Sequence, residues 1–289
     1  MNLGALGVWS GELRFARDRG AAREAAAELD ALGFGTLWPP GGTGTGAPLL
    51  DVAAEILDAA PRATVATGVL SIWVQDAASA GAAQARLRER HPGRFLLGLG
   101  TSHAELLDDD AARARAARPF TEMGRYLDGL DAACPGAERE RVLAALRPRM
   151  LGLARDRCAG AHPYLVTPEH TAVARETLGP GPLLAPEQTV VLETDPARAR
   201  EIARAFLATY LGLPNYMGNL LRFGFDEVDL RDGGSDRFVD AVVAWGDEDA
   251  IAARVAAHRE AGAGHVALQV LSGRRGLPLA EWRRLAAIG

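Results

Sequence analysis

From Leu3 to Leu271 the chain alternates apolar runs of strand length with Ala-rich stretches of helical spacing, about eight times over. Strands that alternate with helices form a parallel sheet, because each strand must cross back before the next can pair in the same direction. The spacing predicts strands at Leu3–Val8, Phe34–Trp38, Thr64–Trp73, Gly93–Gly100, Arg141–Leu146, Ala161–Val166, Thr189–Glu193 and His265–Leu271. Helices are expected between them, among them Arg17–Leu32, Leu49–Ala60, Ala77–Arg90, Pro168–Leu178 and Pro196–Leu211. Residues 212–245 break the rhythm and read as a helical insertion before the last strand. Eight units in 289 residues are the length of a (β/α)8 TIM barrel, here one domain over 1–289. A doubly wound sheet is the alternative, and the missing third glycine in Gly98-Leu99-Gly100-Thr101-Ser102-His103 counts against it.

That glycine stretch ends the most apolar strand, Phe95-Leu96-Leu97. Gly98 and Gly100 have no Cβ, so either another backbone or a flat ligand approaches closely there. Thr101, Ser102 and His103 then stand just past the carboxyl end, where α/β folds bind ligands.

The totals exclude several classes. A net charge of -5 gives no nucleic-acid footprint. No run of about 18 apolar residues is present, so no membrane span is expected, and Met1 to Trp9 lacks the features of a signal peptide. Cys134 and Cys158 have no metal spacing and fit a reducing, cytoplasmic setting. Every cationic side chain apart from histidine is arginine, since the chain has no lysine.

Three strand ends carry unusual residues: Gly68-Val69-Leu70-Ser71-Ile72-Trp73, Gly100-Thr101-Ser102-His103 and Ala144-Ala145-Leu146-Arg147-Pro148-Arg149. In the last, two arginines open a helix, whose free N–H groups attract an anion; the alternative is a solvated surface pair. His162-Pro163-Tyr164 ends a further strand, and a lone histidine there is either structural or a site residue. His170, at a helix start, reads as solvated. No histidine pair has zinc spacing and no nucleophile elbow is present. With Trp38 and Trp73 nearby, the inventory suits an organic cofactor and a small-molecule substrate more than a metal or a covalent nucleophile.

Thr64–Trp73, Pro92–Gly100, Leu143–Met150 and Glu28–Trp38 together resemble the bacterial luciferase-like flavin and deazaflavin oxidoreductases, most closely the branch that uses coenzyme F420. The resemblance implies a barrel with an insertion before the last strand and a hydride exchanged at C5 of a deazaflavin in its mouth. FMN, with a monooxygenase activity, is the alternative cofactor, and a cofactor-binding protein with little activity the third reading. The resemblance places the ring against a bulge in the third strand, at Gly68, Ser71 and Ile72, with a non-proline cis peptide at Ser71-Ile72. It seats the phosphate-bearing tail near the helix start from Leu146 through Met150, and completes the cofactor contacts with Trp38, Gly100, Thr101, Ser102, Ala145, His162 and Tyr164. Many dehydrogenases of the branch carry an Asp-His pair where this chain has Pro39-Pro40-Gly41. His103 lies near the position of an active-site Glu in some members and is the expected catalytic group. The resemblance also implies a homodimer, as do the many apolar residues of Leu49–Leu57.

Overall fold

The computed structural model describes residues 1–42, 47–101 and 110–288, and of residues 110–112 only the backbone. The strands are β1 (Leu6–Trp9), β2 (Thr36–Trp38), β3 (Thr64–Ala66), β4 (Leu70–Ser71), β5 (Phe95–Gly100) and β6 (Arg141–Leu143), followed by β7 (Gly160–Ala161), β8 (Leu183–Leu184), β9 (Glu187–Val191), β10 (Val243–Trp245) and β11 (Val266–Val270). All pairings are parallel, in the order β10-β9-β11-β1-β2-β3-β5-β6-β7-β8, with β4 beside β5. The path closes on itself, because β8 at one end runs straight into β9, while β10 at the other end is an added strand beside β9. Ala185 N donates to Ala161 O at 3.0 Å and Glu187 N to Pro163 O at 2.9 Å, while Ala267 N donates to Pro186 O at 3.0 Å from the other side. The sheet therefore closes into the (β/α)8 barrel that the alternation predicts, with β3/β4 and β8/β9 each a broken stave.

Both faces of the staves are covered, so all six residues of β5 are buried. Trp38, Ala66, Leu96, Val142, Ala185 and Ala267 form one buried cluster. A larger layer joins the opposite strand faces to the helices, and it takes in Leu49, Leu50, Val52, Ala53, Ile56 and Leu57. The apolar residues that motivated a dimer are thus spent within the chain itself. Asp18, Asp76, Asp195 and Asp247 cap the helices that follow, each accepting from a backbone N–H three residues on. Helices Ala77–Arg90 and Pro119–Ala133 meet through glycine: a Cβ on Gly81 would lie 2.5 Å from that of Ala133.

Two expectations change. The predicted strand Thr64–Trp73 breaks at 67–69, where the Thr67 hydroxyl takes over the pairing, donating to Gly98 O and accepting from Gly98 N, both at 2.8 Å. Residues 243–245, counted with the insertion, form β10, which pairs in register with Thr189–Val191 of β9. The rest of that stretch is helical, at Pro214–Leu220, Leu221–Phe223 and Asp236–Val242, and packs around Phe225, Leu230 and Phe238.

Candidate functional site

The carboxyl ends of the staves open into a cavity of about 1270 Å³. That exceeds the roughly 300–1,000 Å³ of an ordinary ligand pocket, so it has room for a cofactor-sized molecule and a smaller second one.

One wall is the break in the third stave, with Gly68, Val69, Ser71, Gly100 and Thr101. The cis peptide lies at Gly68-Val69, not at Ser71-Ile72. Trp9 Nε1 donates to Gly68 O at 2.9 Å and braces the bulge from β1. The glycines are required by the protein itself: a Cβ on Gly98 would sit 1.9 Å from Thr67 O, and one on Gly100 2.6 Å from Val69 Cγ2. The question left open by the sequence is settled there in favour of chain against chain. Among the described residues, the loop after β2 contributes Pro40, Gly41 and Gly42 to the lining. A Cβ on Gly41 would meet Val69 O at 2.0 Å.

The second wall is the turn Ala144–Met150. Arg147 is the extended residue before helix Pro148–Arg157, whose first turn leaves the Arg149 N–H at the cavity rim, since Pro148 has none and Met150 N and Leu151 N both donate to Arg147 O at 3.0 Å. His170, read as solvated from sequence, is buried, and its Nε2 pairs with Leu146 O at 2.9 Å, fixing the turn from behind. The Arg149 guanidinium lies 4.6 Å from the centre of the Phe120 ring. Gly218 leaves room for Arg147, whose Nη2 would be 2.6 Å from a Cβ there. Arg118 and Arg222 join them in the lining. None of the four has a carboxylate partner among the described residues, and no Asp or Glu lines the cavity there.

The third wall is aromatic. Trp9 and Tyr164 have ring centres 5.3 Å apart, Tyr164 and Tyr210 5.5 Å, and Tyr210 and Tyr216 5.4 Å. The Tyr164 hydroxyl lies 2.9 Å from that of Tyr210 and donates to Gln269 Oε1 at 2.7 Å. Burial pushes all three phenols up, Tyr210 to about 12. Glu187 is buried too, pushed up to about 7 by desolvation while accepting from Thr189 Oγ1 at 2.6 Å and from Leu165 N at 3.2 Å.

His162 also lines the cavity. Its Nδ1 lies 2.6 Å from Ala185 O and so carries the proton, which leaves Nε2 a bare acceptor with no partner. Burial lowers its pKa to about 4.

Of the residues expected around a cofactor, Gly68, Ser71, Gly100, Thr101, Ala145 through Met150, His162 and Tyr164 come together in this lining. Trp38 does not line it: fully buried, it stacks beneath His162 because its ring points into the barrel. Ile72 does not either, since its side chain packs in the layer between sheet and helices. Ser102 and His103 lie outside the described residues. Trp9, Tyr210, Tyr216, Arg118 and Arg222 were not anticipated. The two tyrosines and Arg222 sit in or beside the insertion, where no strand-end pattern marks them.

No family profile matches the chain, and no curated protein does. Solved structures share the fold over nearly the whole length. An F420-dependent secondary alcohol dehydrogenase in complex with an F420–acetone adduct is 12% identical, with 99% of this chain and 98% of that one covered at a TM-score of 0.74. The coenzyme F420 dependent tetrahydromethanopterin reductase from Methanopyrus kandleri is 15% identical, with 97% and 96% covered at 0.69. The oxygenating constituent of 3,6-diketocamphane monooxygenase from the CAM plasmid of Pseudomonas putida, in complex with FMN, is 15% identical, with 98% and 96% covered at 0.68. At these identities the likeness is one of fold.

Proposed function

We propose that this chain is an oxidoreductase of the luciferase-like group, dependent on coenzyme F420, that moves a hydride between the deazaflavin and a small organic molecule. The observation that carries this reading is the set of four arginines around the start of helix Pro148–Arg157, with no carboxylate in the described lining. A deazaflavin tail bearing phosphate and carboxylates is the kind of anion such a rim holds, through charge-assisted hydrogen bonds and the helix dipole. When bound, the deazaflavin supplies a carbon, C5, that gives or accepts the hydride. The chain's own part is to grip the tail with Arg147, Arg149, Arg118 and Arg222 and to back the ring with the bulge at Gly68–Ser71. The bare Nε2 of His162 supports a ligand nearby, since a buried acceptor without a partner costs about 1–3 kcal/mol until a donor meets it.

His103, just past β5, is the proposed proton-handling group; His103→Ala and His103→Asn should keep cofactor affinity and lose turnover. The cofactor is tested by titrating the purified chain with F420 and with FMN while following fluorescence. F420 should bind the more tightly, and tighter FMN binding reverses the assignment. The fold shared with an FMN-bound monooxygenase supports the second reading, an FMN monooxygenase. Oxygen consumption with reduced FMN separates the two, because a deazaflavin with carbon in place of N5 reacts poorly with oxygen. A homodimer remains part of the proposal, checked by light scattering at micromolar concentration.

A further inference from the structure

We infer that the face made by Trp9, Tyr164, Tyr210 and Tyr216 is a substrate subsite, taking a planar, uncharged carbonyl compound whose oxygen accepts a hydrogen bond from Tyr210. The inference rests on the cofactor reading above, because it gives the aromatic part of the cavity to a second molecule.

Planarity follows from the wall. Four rings with successive centres 5.3–5.5 Å apart, turned 44°, 43° and 81° from one to the next, line one side of the cavity with both ring faces and ring edges, against which a flat π-system packs offset or edge-on. Neutrality follows from the charges on either side. Glu187, buried nearby and pushed up to about 7, is partly ionised at neutral pH and in that form repels an anion placed on Tyr164, Tyr210 and Tyr216. The four arginines of the rim act against a cation. The carbonyl follows from the direction of the hydroxyls. Tyr164 donates to Gln269 Oε1 at 2.7 Å, so its own hydrogen is committed. The Tyr210 hydroxyl, 2.9 Å away, has only a phenol lone pair to donate to until a ligand oxygen enters. Burial holds both phenols protonated at neutral pH, which keeps Tyr210 a donor.

The test is calorimetric titration of the full-length protein, with and without F420, using 2-acetylnaphthalene, 2-ethylnaphthalene, 2-naphthoate and 2-acetyldecalin. The neutral aromatic ketone should bind most tightly. The hydrocarbon, which lacks the oxygen, should bind about 3- to 10-fold more weakly, the usual worth of one hydrogen bond. Tyr210→Phe should erase that difference while leaving the affinities for 2-ethylnaphthalene and F420 as they were. Tyr216→Leu should weaken ketone and hydrocarbon alike, and melting curves confirm that both variants are folded. Equal or tighter binding of 2-naphthoate or 2-acetyldecalin overturns the subsite, as does an unchanged ketone preference in Tyr210→Phe. Should F420 fail to bind while the ketone pattern holds, the cofactor reading falls and the subsite stands.

Discussion

The imidazole of His162 lies 4.1 Å from the indole of Trp38, with the two rings only 13° from parallel. Stacked on a buried indole and itself buried, the histidine has its charged form disfavoured by desolvation. His265, whose Nε2 accepts from Trp38 Nε1 at 3.1 Å, is held at about 4 by the same desolvation, and His258 at about 3.

The pH dependence of stability follows from these groups. The unfolded chain protonates its histidines near pH 6.5, whereas the folded chain keeps these three neutral down to about 4. Stability is therefore undiminished above 6.5 and is lost as the pH falls from 6.5 towards 4. Glu187 works the other way: raised from 4.5 to about 7, it contributes stability at low pH that is lost as the pH rises through 7. From these four groups the net uptake on unfolding between pH 6 and 4.5 is about two protons, or roughly 2–3 kcal/mol per pH unit. Thermal melts should show this slope, and Glu187→Gln should steepen it. A flat profile over that range would refute the assignment.

Replacing both Arg147 and Arg149 with Ala should weaken F420 binding by at least about tenfold, since a charged hydrogen bond contributes about 1.5–3 kcal/mol. The loss should be larger at low salt, where the screening length is longer. Titration at two ionic strengths reads both effects, and an unchanged affinity removes the anion site.

Gly81→Ala tests the helix contact. In an exposed helix this change stabilises by about 1 kcal/mol. Here the new methyl would meet the Ala133 Cβ at 2.5 Å, and neither atom sits on a side chain that can turn away. Overpacking of this kind costs about 1–3 kcal/mol, so the variant should be less stable than the parent. A urea midpoint that rises instead would show that the helices separate easily.

Arg141 is fully buried at the start of β6. It donates to Gln84 Oε1 at 3.0 Å and to Leu130 O and Cys134 O at 3.2 Å, and it pairs with Asp131. A single ammonium cannot reach these acceptors together, so Arg141→Lys should be destabilising and Arg141→Leu more so, by about 3 kcal/mol or more. Chemical denaturation at constant slope measures both.

The barrel was legible because most elements are long enough to show a period. Ala77–Arg90 was read with both ends correct, since Asp76 caps it and Pro92 follows. Elements of two or three residues show none: β8 and β10 are defined by the partners that tertiary structure brings to them. The break at 67–69 was hidden because Thr67 belongs to a β-branched run while its hydroxyl does the pairing. In the site, the arginines of the 147–149 turn were visible because proline and a helix start mark them. Tyr210 and Tyr216 were not, since only the path of residues 208–220 brings them opposite Tyr164.

Arg141 and Arg147 stand six residues apart, the first opening the three-residue strand β6 and the second in the turn that follows it. The first is closed in by its own chain, and the second faces the open mouth. That boundary makes the segment after Leu143 modular: its side chains can drift, lengthen or change sign of charge while the network below holds the barrel shut. A frame divided in this way can be inherited while its chemistry is rewritten, which fits a shape shared over 99% of the chain at 12% identity.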